Sequence, residues 1–460
     1  MTNQIVTLNV TQTVAPQPSQ LQRKGALVSQ GATTLAPGTT SLLTQASDLT
    51  TLLRGALALT SLVWSANVVT ATTAAPHGLT VSDTLPMTIA GASPTGYNGT
   101  FTCTITGAST FTYPLLSNPG LETVPGSYTP EDVAELSAMV TTFFAQGSQL
   151  AVWVLELGAG NAADGVTALS TWINANPGIY YAYTVPRYWA GEATYLAFLA
   201  GFVSLKSKTY FFTTMTSANY TSFTALMKCV VGLVEAPGIP STEFSLAAAF
   251  WAWLHYAPSS TNKVTPFAFT YLYGVTAYPT TGGNSVLLAA LKAAGVNVVG
   301  TGAEGGISNT ILFWGTTMDG RDASYWYNVD WAQINADQDL SAAVINGSNL
   351  PANPLYYNQD GVSRLQGTLA ATFTRGISYG VVQGTLVMTE LTAAQFQDSL
   401  DAGDFAGKAV INAVPFLSYA AQNPGDYRTG KYAGLYASFV PSRGFTNIVL
   451  NLNVTDFVAQ

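Results

Sequence analysis

The sequence offers few side chains for acid–base chemistry, and its two histidines are the first to consider. His77 lies in a proline–histidine–glycine turn, and His255 ends an aromatic run. A catalytic histidine works with a nucleophile or a carboxylate that it can reach. Neither sequence neighbourhood supplies such a partner, so a structural role is the better interpretation for both.

Three acids could in principle form a carboxylate pair. Asp330, Asp337 and Asp339 fall in a predicted helix, and the first two are two turns apart. A glycosidase needs two convergent carboxylates in an aromatic cleft. Aromatic residues stand close by in the sequence: Tyr325, Trp326, Tyr327 and Trp331. A solvated helix face beside packed aromatic rings is the more common arrangement, and we favour it here.

A glycine-rich stretch has the spacing of a dinucleotide-binding motif. The pattern G-x-G-x-x-G runs from Gly300 to Gly305, and Asp319 and Asp322 follow at roughly the distance of a ribose-binding acid. A helix must come next in such a site, because its N-terminal amides hold the pyrophosphate. Residues 307–313 predict a strand instead. The sequence therefore predicts a loop between strands and no dinucleotide site.

Two other motifs for catalysis or cofactor binding are missing from the sequence. There is no H-E-x-x-H motif and no phosphate-binding loop. Cys103 and Cys229 are too few for a disulfide framework or a cysteine zinc site, and we expect two free thiols. We expect no catalytic residue, no cofactor and no metal ion, and we interpret the chain as a protein that is not an enzyme.

The composition favours a subunit of a larger assembly. Of the 460 residues, 48% are hydrophobic and 9% are charged, whereas about 25% are charged in a typical soluble protein. A free monomer of this size needs charge to stay in solution. A polymer subunit needs less, because much of its surface becomes interface.

Charge and hydropathy also exclude several partners. The net charge is −8, and no Lys or Arg occurs between Arg54 and Arg187. Without a basic stripe, nucleic-acid binding is not expected. The N-terminus lacks the pattern of a signal peptide. The longest apolar stretches are too short or too interrupted to span a bilayer, so we expect no membrane partner.

Both ends of the chain alternate apolar and polar residues, which predicts half-buried strands. Chain ends usually fray unless something holds them, so we interpret the two segments as arms that bind neighbouring subunits. The inter-subunit residues are then the apolar positions: Val6, Leu8, Val10, Ile448, Leu450, Leu452 and Val454.

Between the arms, the patterns predict a helix capped by Ser41 over residues 42–58. Residues 60–128 are rich in Thr, Ser, Gly and Pro, and their alternation predicts a small all-β module. From Thr129, whose hydroxyl is expected to cap a helix, helices and strands alternate in an α/β pattern. The predicted strands are residues 150–157, 179–185, 210–213 and 296–299, and the later predicted helices are 328–345 and 362–379. The last of these helices carries an apolar stripe of Val362, Leu365, Leu369, Phe373 and Ile377.

Several segments, in this order, resemble the contractile tail sheath proteins of bacteriophages. Residues 143–154 (FFAQGSQLAVWV) are similar to the family pattern FF-x-NGG-x-x-x-YVV, with Gln146 and Ser148 in place of Asn and Gly. Residues 295–297 (GVN) and 313–315 (FWG) are similar to its GVN…WG passage. Asp426-Tyr-Arg428 before the last strand is similar to its closing pattern. Residues 60–128, with TGYNGTF at 95–101, look like a β module that recurs as an insertion in phage structural proteins.

The resemblance implies the fold class, α/β and α+β in several domains, with an inserted all-β module and extended terminal arms. The expected domains are an N-terminal arm (1–20), a sheath body (21–59 and 129–318), the all-β module (60–128), an α+β C-terminal domain (319–446) and a C-terminal strand arm (447–460).

The resemblance also implies a function. Subunits would form hexameric rings that stack into a helical polymer around a tail tube, with arms adding strands to neighbouring subunits. Contraction would drive the tube through a host envelope to deliver the viral genome. The partners would be other copies of the chain, the tail tube protein, and the baseplate and tail terminator proteins. The protein would reside in the virion tail after assembly in the cytoplasm of a bacterial host.

Two other functions stay open from the sequence. One is a tail or baseplate protein whose β module binds a host surface glycan, and the other is a nucleotide-dependent oxidoreductase. Neither needs amphipathic strands at both ends, so the arms favour the sheath subunit.

Overall fold

The computed structural model describes residues 20–77, 79, 81–82, 84–147, 150–204, 206–223, 227–279, 284–301 and 309–445. The strands in these residues are β1 (Gly25–Ser29), β2 (Thr39–Leu43), β3 (Leu57–Ser65), β4 (Val68–Thr73), β5 (Thr84–Ala90), β6 (Gly99–Gly107), β7 (Thr110–Pro114), β8 (Ser127–Pro130), β9 (Val152–Glu156), β10 (Ala182–Thr184), β11 (Tyr210–Met215), β12 (Val230–Val234), β13 (Asn297–Thr301), β14 (Thr310–Phe313), β15 (Val382–Gln383), β16 (Thr385–Thr389), β17 (Lys408–Ala413), β18 (Leu435–Ser438) and β19 (Val440–Pro441). The α-helices are α1 (Glu131–Phe144), α2 (Ala162–Ala175), α3 (Ala193–Leu199), α4 (Ser245–Leu254), α5 (Ser285–Ala293), α6 (Ala323–Asn349), α7 (Gln359–Ser378), α8 (Ala393–Asp401), α9 (Phe416–Gln422) and α10 (Pro424–Thr429).

These elements belong to two compact units. The larger unit contains Leu21–Ala257 and Val264–Tyr327, and the smaller unit contains Pro258–Lys263 and Asn328–Ser442. Each unit has its own β-sheets.

An eight-stranded sheet forms the centre of the larger unit, in the order β14-β13-β12-β11-β10-β1-β9-β2. The six inner strands are parallel, and β2 and β14 are antiparallel to their neighbours at the two edges. Strands β1, β11 and β12 are buried along their whole length. Such continuous apolar runs are typical of parallel strands that are covered on both faces.

Different helices cover the two faces of this sheet. The face that carries Ala26 and Val28 packs against buried residues of α2, α3 and α5. The opposite face is covered by α1 and α4, where the rings of Phe143 and Phe250 lie 6.1 Å apart and Phe250 lies 5.0 Å from Phe212 of β11. Gly25 makes this packing possible, because a Cβ atom there would lie 2.4–2.5 Å from side-chain atoms of α4.

The all-β module is a closed six-stranded barrel in the order β3-β4-β7-β6-β5-β8. It extends from Leu57 to Pro130, slightly beyond residues 60–128 at both ends. Its interior is filled by apolar side chains from alternate positions, among them Val69, Met87 and Phe111. The first and last strands of the barrel are neighbours, since Leu57 pairs with Tyr128. The chain therefore enters and leaves the barrel at one place.

The helix predicted over residues 42–58 is wrong. Ser41, its predicted cap, pairs with Val154 in the antiparallel ladder between β2 and β9. The Asp48 carboxylate then accepts hydrogen bonds from the backbone N–H groups of Thr44 and Gln45, and residues 46–51 form a short 3₁₀ helix. Local side-chain bonds of this kind compete with an α-helix and favour a turn.

The helix predicted after Thr129 is confirmed as α1, but its predicted cap is wrong. Pro130 occupies the N-cap position, and no side chain caps the helix. Thr129 belongs instead to β8, where it pairs with Thr88. The barrel thus runs directly into the helix.

The smaller unit is α+β. Strands β16 and β17 are parallel, β18 is antiparallel to β17, and β15 pairs with β19. Asn358 is the N-cap residue of helix α7, and its side chain accepts a hydrogen bond from the Gly361 N–H group. Gln366 of this helix donates to the carbonyl groups of Thr389 and Ile411, which ties α7 to β16 and β17.

The fold class predicted from the sequence, a mixed α/β and α+β chain with a small all-β module, is confirmed. The predicted strands 150–157, 179–185, 210–213 and 296–299 contain or overlap β9, β10, β11 and β13, and the two later predicted helices overlap α6 and α7. The terminal arms, 1–20 and 447–460, lie almost entirely outside the described residues.

Candidate functional site

Both histidines have the structural roles that the sequence indicated. The side chain of His77 is buried, and its Nδ1 atom accepts a hydrogen bond from the Leu79 N–H group at 3.2 Å. The Nδ1 atom of His255 donates to the Ala252 carbonyl at 2.7 Å, and its ring stacks on Trp251 with 4.8 Å between centroids. Burial lowers the pKa of His255, which favours the neutral ring.

The three helical acids do not form a catalytic pair. Asp330 is completely buried, so the predicted solvated face is wrong for this residue. Asp337 is exposed. Asp339 accepts hydrogen bonds from Arg375 at 2.7 Å and from Thr372 at 2.6 Å. Its carboxylate joins α6 to α7 and has a structural role.

The glycine-rich stretch is followed by a strand, as expected. Gly300 lies in β13, and a Cβ atom there would overlap the Phe313 ring of the antiparallel neighbour β14. Close packing against the Phe313 ring therefore explains why position 300 is a glycine. Asp319 accepts hydrogen bonds from the Thr317 hydroxyl, the Arg321 N–H group and the Trp326 indole. Residues 302–308, which contain the rest of the motif, lie outside the described residues.

We expect a thermal-shift titration with NAD or ATP to leave the melting temperature unchanged, because both oxygens of Asp319 are already engaged within the protein. A saturable rise of more than a few degrees would indicate binding to the native state and would contradict this expectation.

The parallel sheet has the strand order of a doubly wound fold, in which ligands bind where the order reverses. That position lies beside β1, at the carboxyl ends of β1 and β10. Gln30 fills it: its Oε1 atom accepts hydrogen bonds from Tyr188 at 2.8 Å and Trp189 at 2.9 Å, and its Nε2 atom donates to the Asn161 carbonyl. Protein side chains thus occupy the place of a ligand.

Arg187 lies next to this position and binds three elements together. Its Nε and Nη2 atoms donate to the Glu235 carboxylate at 2.6 and 3.0 Å. Nη2 also donates to the Glu243 carbonyl at 2.7 Å, and the Arg187 N–H group donates to Glu135 at 2.6 Å. The guanidinium lies 4.2 Å above the centre of the Phe244 ring. The sequence gives no sign of this cluster, because its members are far apart along the chain.

The carboxylates around Arg187 are nearly buried and fully engaged. Glu243 accepts from the Ser245 hydroxyl at 2.6 Å and from both the N–H and hydroxyl groups of Thr276 at 2.7 Å. A Glu235 oxygen also accepts from the Ser245 N–H group at 2.8 Å. In the described residues, no group of His, Cys, Asp or Glu has the arrangement of a metal site. The cluster is suited to holding elements together rather than to catalysis.

The smaller unit carries an open apolar groove. It has a volume of about 1070 Å³, and none of its lining residues is charged. One wall is a stripe of α6 at four-residue spacing, with Ala336, Leu340 and Val344. The other wall is the stripe of α7 that the sequence predicted, from Val362 to Phe373. Val344 and the adjoining Ile345 are 46% and 61% exposed, as expected of a surface that another chain covers.

A strand edge borders the groove. Leu435 and Ala437, alternate residues of β18, line the groove, and so does Phe439. Strand β18 pairs with β17 on one side. On its other side, no strand within the described part of the chain pairs with it. A strand edge beside an apolar groove is the arrangement to which an extended peptide can add a strand, with alternate side chains in the groove.

None of the predicted inter-subunit residues can be located in this site. Val6, Leu8 and Val10, as well as Ile448, Leu450, Leu452 and Val454, lie outside the described residues. The sequence identified apolar residues that could be inserted, but it did not identify the surface that receives them. The apolar stripe of α7 was the available signal. In the described residues, no helix is long and apolar enough to cross a membrane.

Comparison with known proteins gave structural matches alone. No family model and no curated protein matches the chain. A sheath tail protein from Listeria innocua aligns over 78% of this chain and 86% of its own, with 11% identity and a TM-score of 0.40. A chain of the anti-feeding prophage helical sheath in the contracted state aligns over 98% and 99%, with 12% identity and a TM-score of 0.47. A chain of the contracted anti-feeding prophage baseplate aligns over 98% of both chains, with 11% identity and a TM-score of 0.49.

Proposed function

We propose that this chain is a structural subunit of a contractile tail sheath and is not an enzyme. The observation that carries the proposal is the uncharged groove beside the free edge of β18, together with amphipathic segments at both chain ends. A subunit of this kind holds its neighbours by adding its arms to their sheets. The arm residues are apolar at alternate positions, and residues 1–22 contain no charged side chain, which suits a groove without charges.

The sheath-like motifs of the sequence meet in the fold, and this supports the proposal. The GVN and WG segments are neighbours: the Asn297 side chain donates to the carbonyl groups of Gly232 and Thr316 and accepts from the Thr316 N–H group at 2.8 Å. Trp314 has a positive φ of 71°, which is strained for a bulky residue. Gly315 follows with φ of 59°, and a Cβ atom there would lie 2.4 Å from the Ala268 nitrogen. These local demands restrict which residues the passage can contain.

The finer features of the proposal follow from the family resemblance. Subunits form hexameric rings that stack around a tail tube protein, end at baseplate and tail terminator proteins, and assemble in the bacterial host before residing in the virion tail. We propose that the chain is divided into arms (1–20 and 447–460), a body (21–59 and 129–318), an inserted module (60–128) and a C-terminal domain (319–446).

Electron microscopy of the purified protein in negative stain tests the proposal. We expect tubes or stacked rings with a central channel. A protein that stays monomeric at every concentration and salt condition, with or without tube protein, would contradict it. Retention on glycan-coated beads without any polymer would favour a tail or baseplate protein whose module binds a surface glycan.

We expect the barrel to be dispensable for folding of the rest of the subunit. Because its first and last strands are paired, a short Gly/Ser linker from Gly55 to Glu131 removes it without moving the flanking elements apart. The protein without the barrel should keep its helical circular dichroism signal and should still form tubes. A folded and soluble deletion protein that cannot form tubes would mean that the barrel is essential to the lattice.

A further inference from the structure

Asp322 follows the glycine-rich stretch in the sequence and directly precedes α6. Its side chain is buried, with 7% of the residue exposed. Its Oδ1 atom accepts hydrogen bonds from the Ser324 N–H group at 2.9 Å and from the Ser324 hydroxyl at 2.7 Å. A carboxylate at this position caps the first turn of the helix. One oxygen of the carboxylate is therefore engaged in starting α6.

The other oxygen binds a segment near the C-terminus. The Oδ2 atom of Asp322 accepts a hydrogen bond from the Gly444 N–H group at 2.7 Å. Gly444 comes shortly before the predicted C-terminal arm, 447–460, and we call residues 443–445 the arm root. Asp322 and the arm root both belong to the larger unit. A single carboxylate thus holds the start of α6 and the arm root together.

Packing restricts the backbone at the same point. A Cβ atom at Gly444 would lie 2.4 Å from the Cβ atom of Pro266 and 2.9 Å from its Cγ atom. A glycine lets the backbone approach this closely. The flanking residues Arg443 and Phe445 are both exposed. The tight contact in the arm root is therefore made by the Gly444 backbone.

The chemistry of the carboxylate makes this contact costly to lose. Burial raises the pKa of Asp322, and the hydrogen bonds from Ser324 and Gly444 oppose that rise. A buried carboxylate needs hydrogen-bond donors to compensate for its lost hydration. Bonds to a charged acceptor are also stronger than bonds between neutral groups. Moving the arm root away would deprive the Oδ2 atom of its donor.

We propose that Asp322 anchors the arm root to the larger unit and so positions the C-terminal arm for binding to a neighbouring copy. The inference rests on the proposed function, in which the arm links subunits. Asp322 is then a positioning residue, because it acts through the backbone of the arm root. A pull on the arm by a neighbouring copy is transferred through Asp322 to the start of α6.

Trypsin digestion of the monomeric protein tests the anchor. Trypsin cleaves after Arg443, at the peptide bond whose N–H group donates to Asp322. The Asp322→Asn variant keeps one acceptor, but its NH₂ group leaves either Gly444 or the helix cap facing a second donor. We expect cleavage at Arg443 to become about tenfold faster, because losing a bond to a charged group raises the population of the opened arm root. Cleavage at the exposed Arg428 should keep its wild-type rate.

Two further variants separate the arm root from the helix cap. Ser324→Ala removes one donor to the Oδ1 atom and leaves the Gly444 bond, so cleavage at Arg443 should stay at the wild-type rate. Gly444→Ala displaces the arm root from the other side, through its clash with Pro266, and should be cleaved as readily as Asp322→Asn. Mass spectrometry of the fragments identifies the cleaved bond.

The same variants test the positioning of the arm. Asp322→Asn and Gly444→Ala should need about tenfold more protein to form tubes, because an arm with a free root reaches its neighbour at a lower effective concentration. Unchanged cleavage at Arg443 in both variants, or an equal rise at Arg428, would overturn the anchor. Faster cleavage at Arg443 with normal tube formation would overturn the positioning role. A wild-type chain that forms no polymer would instead remove the proposed function.

Discussion

Replacing Leu450 and Leu452 by aspartate is expected to abolish tube formation and to leave the subunit folded. Each apolar side chain that an arm buries in a neighbour contributes about 1.5–3 kcal/mol before ordering costs. An aspartate cannot enter an uncharged groove without losing its hydration. Circular dichroism should show an unchanged fold, and sedimentation together with negative-stain microscopy should show monomers.

The alternation of apolar and polar residues in the sequence from 448 to 454 supplies a matched control. Asn451→Asp and Asn453→Asp add the same charge at the polar positions of this alternation and should leave tubes intact. If the leucine double variant forms normal tubes, the arm is not the link between subunits. If it unfolds as a monomer, the arm belongs to the fold of its own subunit.

The same contact can be disrupted from the receptor side. Val344→Asp and Ile345→Asp place charges at the exposed border of the groove and should prevent tubes without loss of stability. Val286 on α5, which is 78% exposed and belongs to the other unit, is the control position for an aspartate. Failure of the arm variant together with normal assembly of the groove variant would mean that the arm binds elsewhere.

Replacing Arg187 by alanine is expected to lower the free energy of unfolding of the subunit by about 3 kcal/mol. The large effect arises because Glu135 and Glu235, which are nearly buried, would lose the cation that they share. Arg187 is itself 31% exposed, so water compensates for part of the loss. Urea denaturation at protein concentrations below assembly measures the change.

Two further variants separate charge from geometry. Arg187→Lys keeps the cation but loses the paired hydrogen bonds to Glu235, so it should recover part of the stability. Arg428→Ala removes an exposed arginine of α10 and should change stability by no more than about 0.5 kcal/mol. An Arg187→Ala protein as stable as the wild type would show that the cluster does not hold the larger unit together.

The parts of the fold that the sequence predicted are those with strong local patterns. Continuous apolar runs such as residues 150–157 can be buried in a sheet by any neighbours, and the stripe of α7 has a clear helical period. The all-β module was predictable because several of its strands, such as β6, alternate apolar and polar residues. In these segments the local preference and the tertiary environment agree.

The predictions that were wrong concern segments whose conformation depends on residues far away in the sequence. Residues 39–43 form a strand because they pair with β9. Nothing in the local sequence indicates that β9 will lie beside them. Glu156 is a charged residue within an apolar run. It can be buried because Ser29, Gly31 and Thr33 donate hydrogen bonds to its carboxylate. Arg187 likewise depends on acids contributed by other elements. Such networks can be recognised only after the strands are assembled.

The pairing of the first and last strands of the barrel has a mechanical consequence. A pulling force that travels along the chain from β2 to α1 reaches Leu57 and leaves from Tyr128, which are partners in one ladder. The hydrogen bonds between these two strands carry the load across, and the other four strands stay outside the line of force. Under such a force the barrel would move together with the elements on either side of it and would not lengthen the chain between them.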